Sequence, residues 1–381
     1  MKKYLDNIGN NLSDNLSSLS KKSITIYLSF NMNNPNKIFS FVFIILFLIV
    51  FSFYNFEEYK SFHQDKLNTE KNEKTLKQEL INFDLEELKE LSDVKFYYTP
   101  NKDLLNNIVE LINNAKENIY LETYMLTEKR IQEALIKAKK REISIKIILE
   151  KSPYKASNIN NSAYNNMEKN GIEIQWSNKD NYSLNHSKVL IIDNLSIISS
   201  GNFTYSTFTQ NRDFFIFTYD TNINKSLVQN FNNDFLGIKT DIFNDNLVFS
   251  PKTSRIKFNK LFDKAENNIK MYFQYMLDDE FVNKLIDIKK IKKIDIGIIL
   301  ADTALSNENT IKLENNGIKI EFIKKPKIHA KAILIDDKYL YVGSINMSDN
   351  SIDKNREIGI LLKEKNIIKE FIDIYNSDTN N

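Results

Sequence analysis

The chain contains no cysteine, which excludes disulfides and thiolate metal sites. Glycine and proline number only 8 and 5 in 381 residues, a bias of composition that carries no functional meaning. Neither sign of charge prevails. The 52 Lys and Arg against 50 Asp and Glu leave a net +2, so nothing demands a polyanionic partner, although a basic face can hide in a balanced total. Histidine is scarce as well, with His63, His186 and His329 only. What is there, 42% hydrophobic and 27% charged residues, is a globular composition long enough for two domains.

One apolar run stands out, IFSFVFIILFLIVFSFY at 38–54, 17 residues without a charge. At 1.5 Å per residue it covers roughly 25 Å, close to a hydrocarbon core of about 30 Å. The SFYNFEEY that follows is a poor cleavage site, so the run predicts an uncleaved transmembrane anchor rather than a signal peptide. Lys2, Lys3, Lys21, Lys22 and Lys37 precede it, and Glu57 and Glu58 follow. The positive-inside rule then expects residues 1–37 in the cytoplasm and the catalytic region on the outer side of the cell membrane. Residues 55–93 are charged and helix-favouring, which predicts a stalk in which His63 faces solvent.

The remainder reads as an internal repeat. Phe96-Tyr97-Tyr98-Thr99-Pro100 is answered by Leu247-Val248-Phe249-Ser250-Pro251. ISIKIIL at 143–149 matches IDIGIIL at 294–300, and NGIEIQW at 170–176 matches NGIKIEF at 316–322. Short β-rich runs alternate with amphipathic helices in both halves, which predicts two α/β lobes related by a pseudo-twofold axis, with a cleft where they meet. The expected boundaries are 94–220 for the first lobe, 221–246 for a linker and 247–381 for the second lobe.

Near the end of each half stands one constellation, HSKVLIID at 186–193 and HAKAILID at 329–336. A period of two puts His186 with Lys188, and His329 with Lys331, on one face of a strand. With these numbers of basic and acidic residues, a given histidine has both at these offsets with a chance of about 0.02. Two of three doing so is roughly a one-in-a-thousand coincidence. The flanks repeat too. Ser200-Gly201-Asn202 is followed nine residues on by Asn211-Arg212-Asp213, and Ser344-Ile345-Asn346 nine residues on by Asn355-Arg356-Glu357. Hydroxyls and amides suit phosphoryl oxygens, so Ser200, Asn202, Ser344 and Asn346 join Lys188 and Lys331 as candidate phosphate ligands. A carboxylate further on suits an imidazole, which is the role expected of Asp213 and Glu357.

On these motifs the chain, from about Val94 to its C-terminus, resembles the phospholipase D superfamily, whose signature is HxKxxxxD followed by a G-S-x-N-type segment. The resemblance implies two α/β lobes, an active site at their junction, and neither metal nor organic cofactor. It also implies that the first-half histidine, His186, is the nucleophile and His329 the acid and base. Asp213 and Glu357 would then orient the rings, across the lobe boundary. Ser-Gly-Asn without a preceding glycine, and Asp213 where Glu is frequent, are mild departures that remove no needed group. The chemistry agrees. One neutral imidazole attacks phosphorus, and one protonated imidazole serves the departing alkoxide. Asp193 and Asp336 complete the candidate catalytic set, although, at the ends of apolar strands, they read first as scaffold.

The substrate expected is a phospholipid headgroup, since an anchor holds the site near a membrane. Two alternatives are a metal-independent endonuclease acting on DNA or RNA, and a cardiolipin synthase-type phosphatidyltransferase. Lys137–Arg141, Lys289–Lys293 and the Lys324-Lys325-Pro326-Lys327 run before His329 are the available basic clusters. A binding scaffold without activity would have let one half-site decay, and both are intact. Both motifs lie in one chain, so no oligomer is required.

Overall fold

The computed structural model describes residues 71–238, 242–305 and 307–380. The apolar run at 38–54, the cytoplasmic segment before it and His63 lie outside the described residues. Among the described residues no helix is long and apolar enough to cross a membrane.

In the first lobe the strands are β1 (Val94–Tyr98), β2 (Asn118–Thr123), β3 (Ser144–Leu149), β4 (Glu173–Trp176), β5 (Lys188–Ile192), β6 (Leu195–Ser199), β7 (Asn211–Arg212) and β8 (Phe214–Thr218). The second lobe has β9 (Leu247–Ser250), β10 (Asn268–Phe273), β11 (Asp295–Ala301), β12 (Lys319–Ile323), β13 (Lys327–Ile328), β14 (Ala332–Ile335), β15 (Tyr339–Gly343) and β16 (Glu357–Leu362). Two seven-stranded sheets run β1-β8-β6-β5-β2-β3-β4 and β9-β16-β15-β14-β10-β11-β12, the same order twice. In each, three parallel strands continue into an antiparallel set through the strand that begins just after the motif histidine. The repeat in the sequence is thus a repeat of topology.

The strands are rich in Ile, Val, Leu and Phe because both faces of each sheet are covered. Leu190 and Ile192 on β5 pack with the helices of their own lobe, while Val189 and Ile191 alternate to the other face. There they meet Ala332 and Leu334 of β14, Leu340 and Val342 of β15, and Ile358 and Ile360 of β16. The lobes therefore share one hydrophobic seam. Truncating Ile191 or Leu334 to Ala at this seam would cost roughly 2–5 kcal/mol.

Two segments differ from the sequence reading. Residues 71–82 are helical, but Phe83, Leu85 and Leu88 are buried in the core of the second lobe beside Phe258, Leu261 and Phe262, so the end of the expected stalk is part of the globule. The expected linker contains a helix, Thr221–Leu236, capped by the Asp220 carboxylate on Asn222 and Ile223 N–H. Ile223, Leu227 and Phe231 bury its inner side. A helix of the same place in the repeat, Lys365–Thr379, closes the second lobe.

Candidate active site

The backbone before each motif strand crosses to the other lobe. His186 N–H donates to the Arg356 carbonyl at 2.8 Å, and His329 N–H donates to the Arg212 carbonyl at 3.1 Å. Asn185 bridges Arg356, and β13 pairs with β7 through Lys327 with Asn211 and Ile328 with Arg212. Both histidines are thereby pinned beside the residue that follows each arginine. Nδ1 of His186 lies 2.8 Å from Glu357 Oε2, and Nδ1 of His329 lies 2.8 Å from Asp213 Oδ1. A carboxylate accepts only, so each Nδ1 carries the proton in the neutral ring and each Nε2 is left for chemistry.

Each lysine touches the histidine of its own motif, and its charge acts on both imidazoles. Lys188 Nζ donates to the His186 carbonyl at 2.5 Å. Lys331 Nζ donates to the His329 carbonyl and lies 3.2 and 3.3 Å from the two ring nitrogens of His329. Both lysines are fully buried. Burial drives His186 down to about 4, helped by Lys188 and Lys331 and opposed by Glu357. Burial also lowers His329, against Asp213 and with Lys331 and Lys188. The Lys188 ammonium is pushed well below its usual range by burial despite Glu357, and Lys331 is pushed down to about 8 despite Asp213 and Glu357. Burial alone would raise the Asp213 carboxyl, but His329, Lys331 and the Ser200 hydroxyl outweigh it and hold it low. Two lysines against two carboxylates leave the site neutral while both rings are neutral, and a phosphodiester anion entering it would favour the charged forms of the lysines and of one imidazole.

Asn202 and Asn346 are 8% and 4% exposed, yet their side-chain oxygens have no hydrogen-bond partner. Buried amides are ordinarily satisfied; an amide oxygen only accepts, so these two atoms suit a donor group on a ligand, while phosphoryl oxygens would be met by the Nδ2 groups of the same side chains. Ser200 and Ser344 do not fit the phosphate-binding role expected of them. Both are fully buried, and Ser200 Oγ donates to Asp213 Oδ1 at 2.8 Å while accepting Phe214 N–H. Ser344 Oγ accepts Ile358 N–H at 3.0 Å. They hold the strands that carry the carboxylates. Gly201 explains the Ser-Gly-Asn departure, because a Cβ there would lie 2.8 Å from the Asp213 carboxyl carbon.

Asp193 and Asp336 are likewise removed from the catalytic set. Each turns the chain at positive φ (52° and 55°) and caps three successive backbone N–H groups. Asp193 takes Lys116, Glu117 and Asn118 at 2.8–3.0 Å. Asp336 takes Glu266, Asn267 and Asn268 at 2.7–3.1 Å. They lie at the far strand ends, roughly 20 Å along the chain from the histidines. Lys324 and Lys325 are exposed on the turn before β13, and Lys327 is exposed on that strand.

Several site residues had no assigned role in the sequence. Arg212 binds Asp378 through Nε at 2.8 Å and a terminal nitrogen at 2.6 Å, and Arg356 Nε binds Asp234 at 2.7 Å. Tyr124 packs its ring on His186. The arginines and aspartates had a signal, since Asp234 and Asp378 each stand twenty-one residues after the orienting carboxylate. Tyr124 belongs to no motif.

Residues 108–235 and 258–379 match the family described as "Cardiolipin synthase, PLD-like domain". Phospholipase D of Rickettsia bellii (strain RML369-C) is 28% identical over 201 residues, 52% of this chain and 96% of that relative. Cardiolipin synthase 1 of Staphylococcus aureus (strain COL) is 25% identical over 128 residues, 32% of this chain and 26% of its own. Among solved structures, phosphatidylserine synthase of Haemophilus influenzae Rd KW20 shares the fold, with a TM-score of 0.63 at 12% identity over 80% of this chain and 89% of that one. With one matched segment in each lobe and more than half of the chain covered, the chain belongs to the PLD-like family of the phospholipase D superfamily and is a phospholipase D-like enzyme.

Proposed function

We propose that this chain is a membrane-anchored phosphodiesterase that cleaves or transfers phospholipid headgroups through a phosphohistidine on His186. The observation that carries the reading is the reciprocal pair of imidazoles, each with Nδ1 tied at 2.8 Å to a carboxylate of the opposite lobe, which leaves Nε2 as the nitrogen for chemistry. His186, held down to about 4, is neutral and nucleophilic at ordinary pH. Its Nε2 attacks phosphorus. Lys188, Lys331 and the Asn202 and Asn346 amides hold the non-bridging oxygens as negative charge gathers on them. His329 takes up a proton as the anionic substrate enters and passes it from Nε2 to the departing alkoxide. His329, now neutral, then removes a proton from water or an alcohol, whose oxygen displaces His186 from phosphorus. No step calls for a metal.

The printed names of the relatives, phospholipase D and cardiolipin synthase, support a lipid substrate, as does the apolar run at 38–54 read as an anchor with residues 1–37 in the cytoplasm. The deciding assay gives the full chain, in vesicles, labelled phospholipid with and without an added alcohol, and in parallel single-stranded and duplex DNA. Headgroup release, diverted to a new phosphodiester by the alcohol, is the expected result. DNA cleavage without lipid turnover would replace this reading with the nuclease one.

A further inference from the structure

The two half-sites share a frame, but their walls differ. The residue that follows β2 is Tyr124, whereas the residue at the same place after β10 is Gln274. Tyr124 N–H donates to the Ser187 carbonyl at 3.1 Å, which fixes it beside the motif. Its ring meets the His186 ring edge to face, with centroids 4.6 Å apart and planes at 71°. Lys188 Nζ lies 5.3 Å from the centre of the same ring. The Tyr124 hydroxyl oxygen accepts the Tyr154 N–H at 2.5 Å, so the ring is held at both ends. Among the described residues no aromatic ring contacts His329, and Gln274 is half-exposed.

The asymmetry continues behind the ring. Asn185 donates through its N–H to Glu150 and through Nδ2 to Glu122, at 2.8 and 2.9 Å. Glu150 also accepts from Ser152 N–H and Ser177 Oγ, which ties the loop of Tyr154 to the segment before His186. The equivalent places in the second lobe hold Ile328, Ala301 and Tyr272, so this network has no counterpart there.

We propose that Tyr124 is the positioning residue that makes the two imidazoles inequivalent and selects His186 as the nucleophile. This rests on the covalent reading above. The charged groups facing the two rings are alike: Glu357, Lys188 and Lys331 around His186, and Asp213, Lys331 and Lys188 around His329. The tyrosine wall, with the Asn185, Glu150 and Glu122 network behind it, is what differs. A packed ring excludes water from one side of the imidazole, and what an aromatic returns to an imidazolium is less than the hydration it displaces. It also fixes the ring plane, so that Nε2 keeps one direction of attack while Nδ1 stays on Glu357.

With three histidines in the chain, imidazole resonances can be assigned by single replacements and titrated in the full-length protein. His186 is expected to titrate near 4 in the wild type and in Tyr124→Phe, which keeps the ring. In Tyr124→Gln, which copies the second half-site, it should rise by about one pH unit or more while His329 stays in place. A nitrophenyl phosphodiester, quenched and mapped by mass, should label His186 in the wild type and in Tyr124→Phe, and both histidines in Tyr124→Gln. An unmoved His186 titration in Tyr124→Gln, or a label that remains on His186 alone, overturns the role of Tyr124. A wild type that carries no label on either histidine overturns instead the covalent reading beneath it.

Discussion

Arg356 in the second lobe and Asp234 in the first form an ion pair, Nε to Oδ2 2.7 Å, with side chains 1% and 6% exposed. Arg212 and Asp378 repeat it with the lobes exchanged. Each arginine directly precedes the carboxylate that orients the histidine of the other lobe, so the helices Thr221–Leu236 and Lys365–Thr379 end on the site's outer support. Removing one partner of a buried pair leaves an uncompensated charge and costs about 3–5 kcal/mol. Asp234→Asn and Asp378→Asn should each lower the thermal midpoint by roughly 5–10 °C and reduce kcat, because the carboxylate beside the arginine loses its register. Differential scanning calorimetry that finds an unchanged midpoint would show that the pairs do not hold the lobes.

Asp193 and Asp336 test whether the last residue of the motif does chemistry. Each carboxylate accepts three backbone N–H groups at a turn remote from the rings. Asp193→Ala or Asp336→Ala should cost about 1–3 kcal/mol of stability by urea titration. At a temperature where the variant stays folded, kcat should remain within about threefold of the wild type. A drop of roughly a hundredfold or more in folded protein would return both aspartates to the catalytic set.

The pH profile follows from the signs of the shifts. His186 must be neutral, so kcat/KM rises as pH climbs through about 4. His329 must be protonated, and burial lowers it below the ordinary 6.5, so kcat/KM falls on the alkaline side from a point below that value. The fall steepens when Lys331 loses its proton near 8. The bound phosphodiester anion favours the charged forms of His329 and Lys331, which moves the alkaline limb of kcat to higher pH than that of kcat/KM. Initial rates from about pH 3.5 to about 9.5, at low and saturating substrate, measure both limbs. Superimposed alkaline limbs would mean that neither group meets the substrate's charge.

Much of this was legible in the residues. Two motifs in register implied two lobes and a shared site, and the crossed roles of Asp213 and Glu357 followed from the resemblance. Other features were not readable, for physical reasons. Ser200 and Ser344 occupy phosphate-like positions in the pattern, but a spacing does not say whether a hydroxyl faces the cleft or the strand behind it. The segment 221–236 carries five asparagines, which disfavour helix, and burial of Ile223, Leu227 and Phe231 overrides that preference. Tyr124 follows a strand in one lobe only, so the repeat that reveals the rest hides it.

The two histidines are separated by replacing each with asparagine. His186→Asn removes the atom that bonds to phosphorus, so no phosphoenzyme forms with any substrate. His329→Asn removes the proton donor, and an ordinary alkoxide then leaves slowly, by a factor of roughly 10²–10⁴. A nitrophenyl phosphodiester needs little help to expel its leaving group, so it should still modify His186 in that variant. The adduct then persists, because the base that activates water is the residue removed. The amide that replaces His329 cannot substitute for it, since an amide nitrogen takes no proton near neutral pH. The measurement is intact-protein mass after mixing each variant with the nitrophenyl substrate and quenching, followed by peptide mapping. A lasting phosphoryl adduct at His186 in His329→Asn, with none in His186→Asn, is the expected pattern. An adduct at His329 in His186→Asn, with none at His186 in His329→Asn, would exchange the two roles and with them the direction in which the substrate lies across the seam.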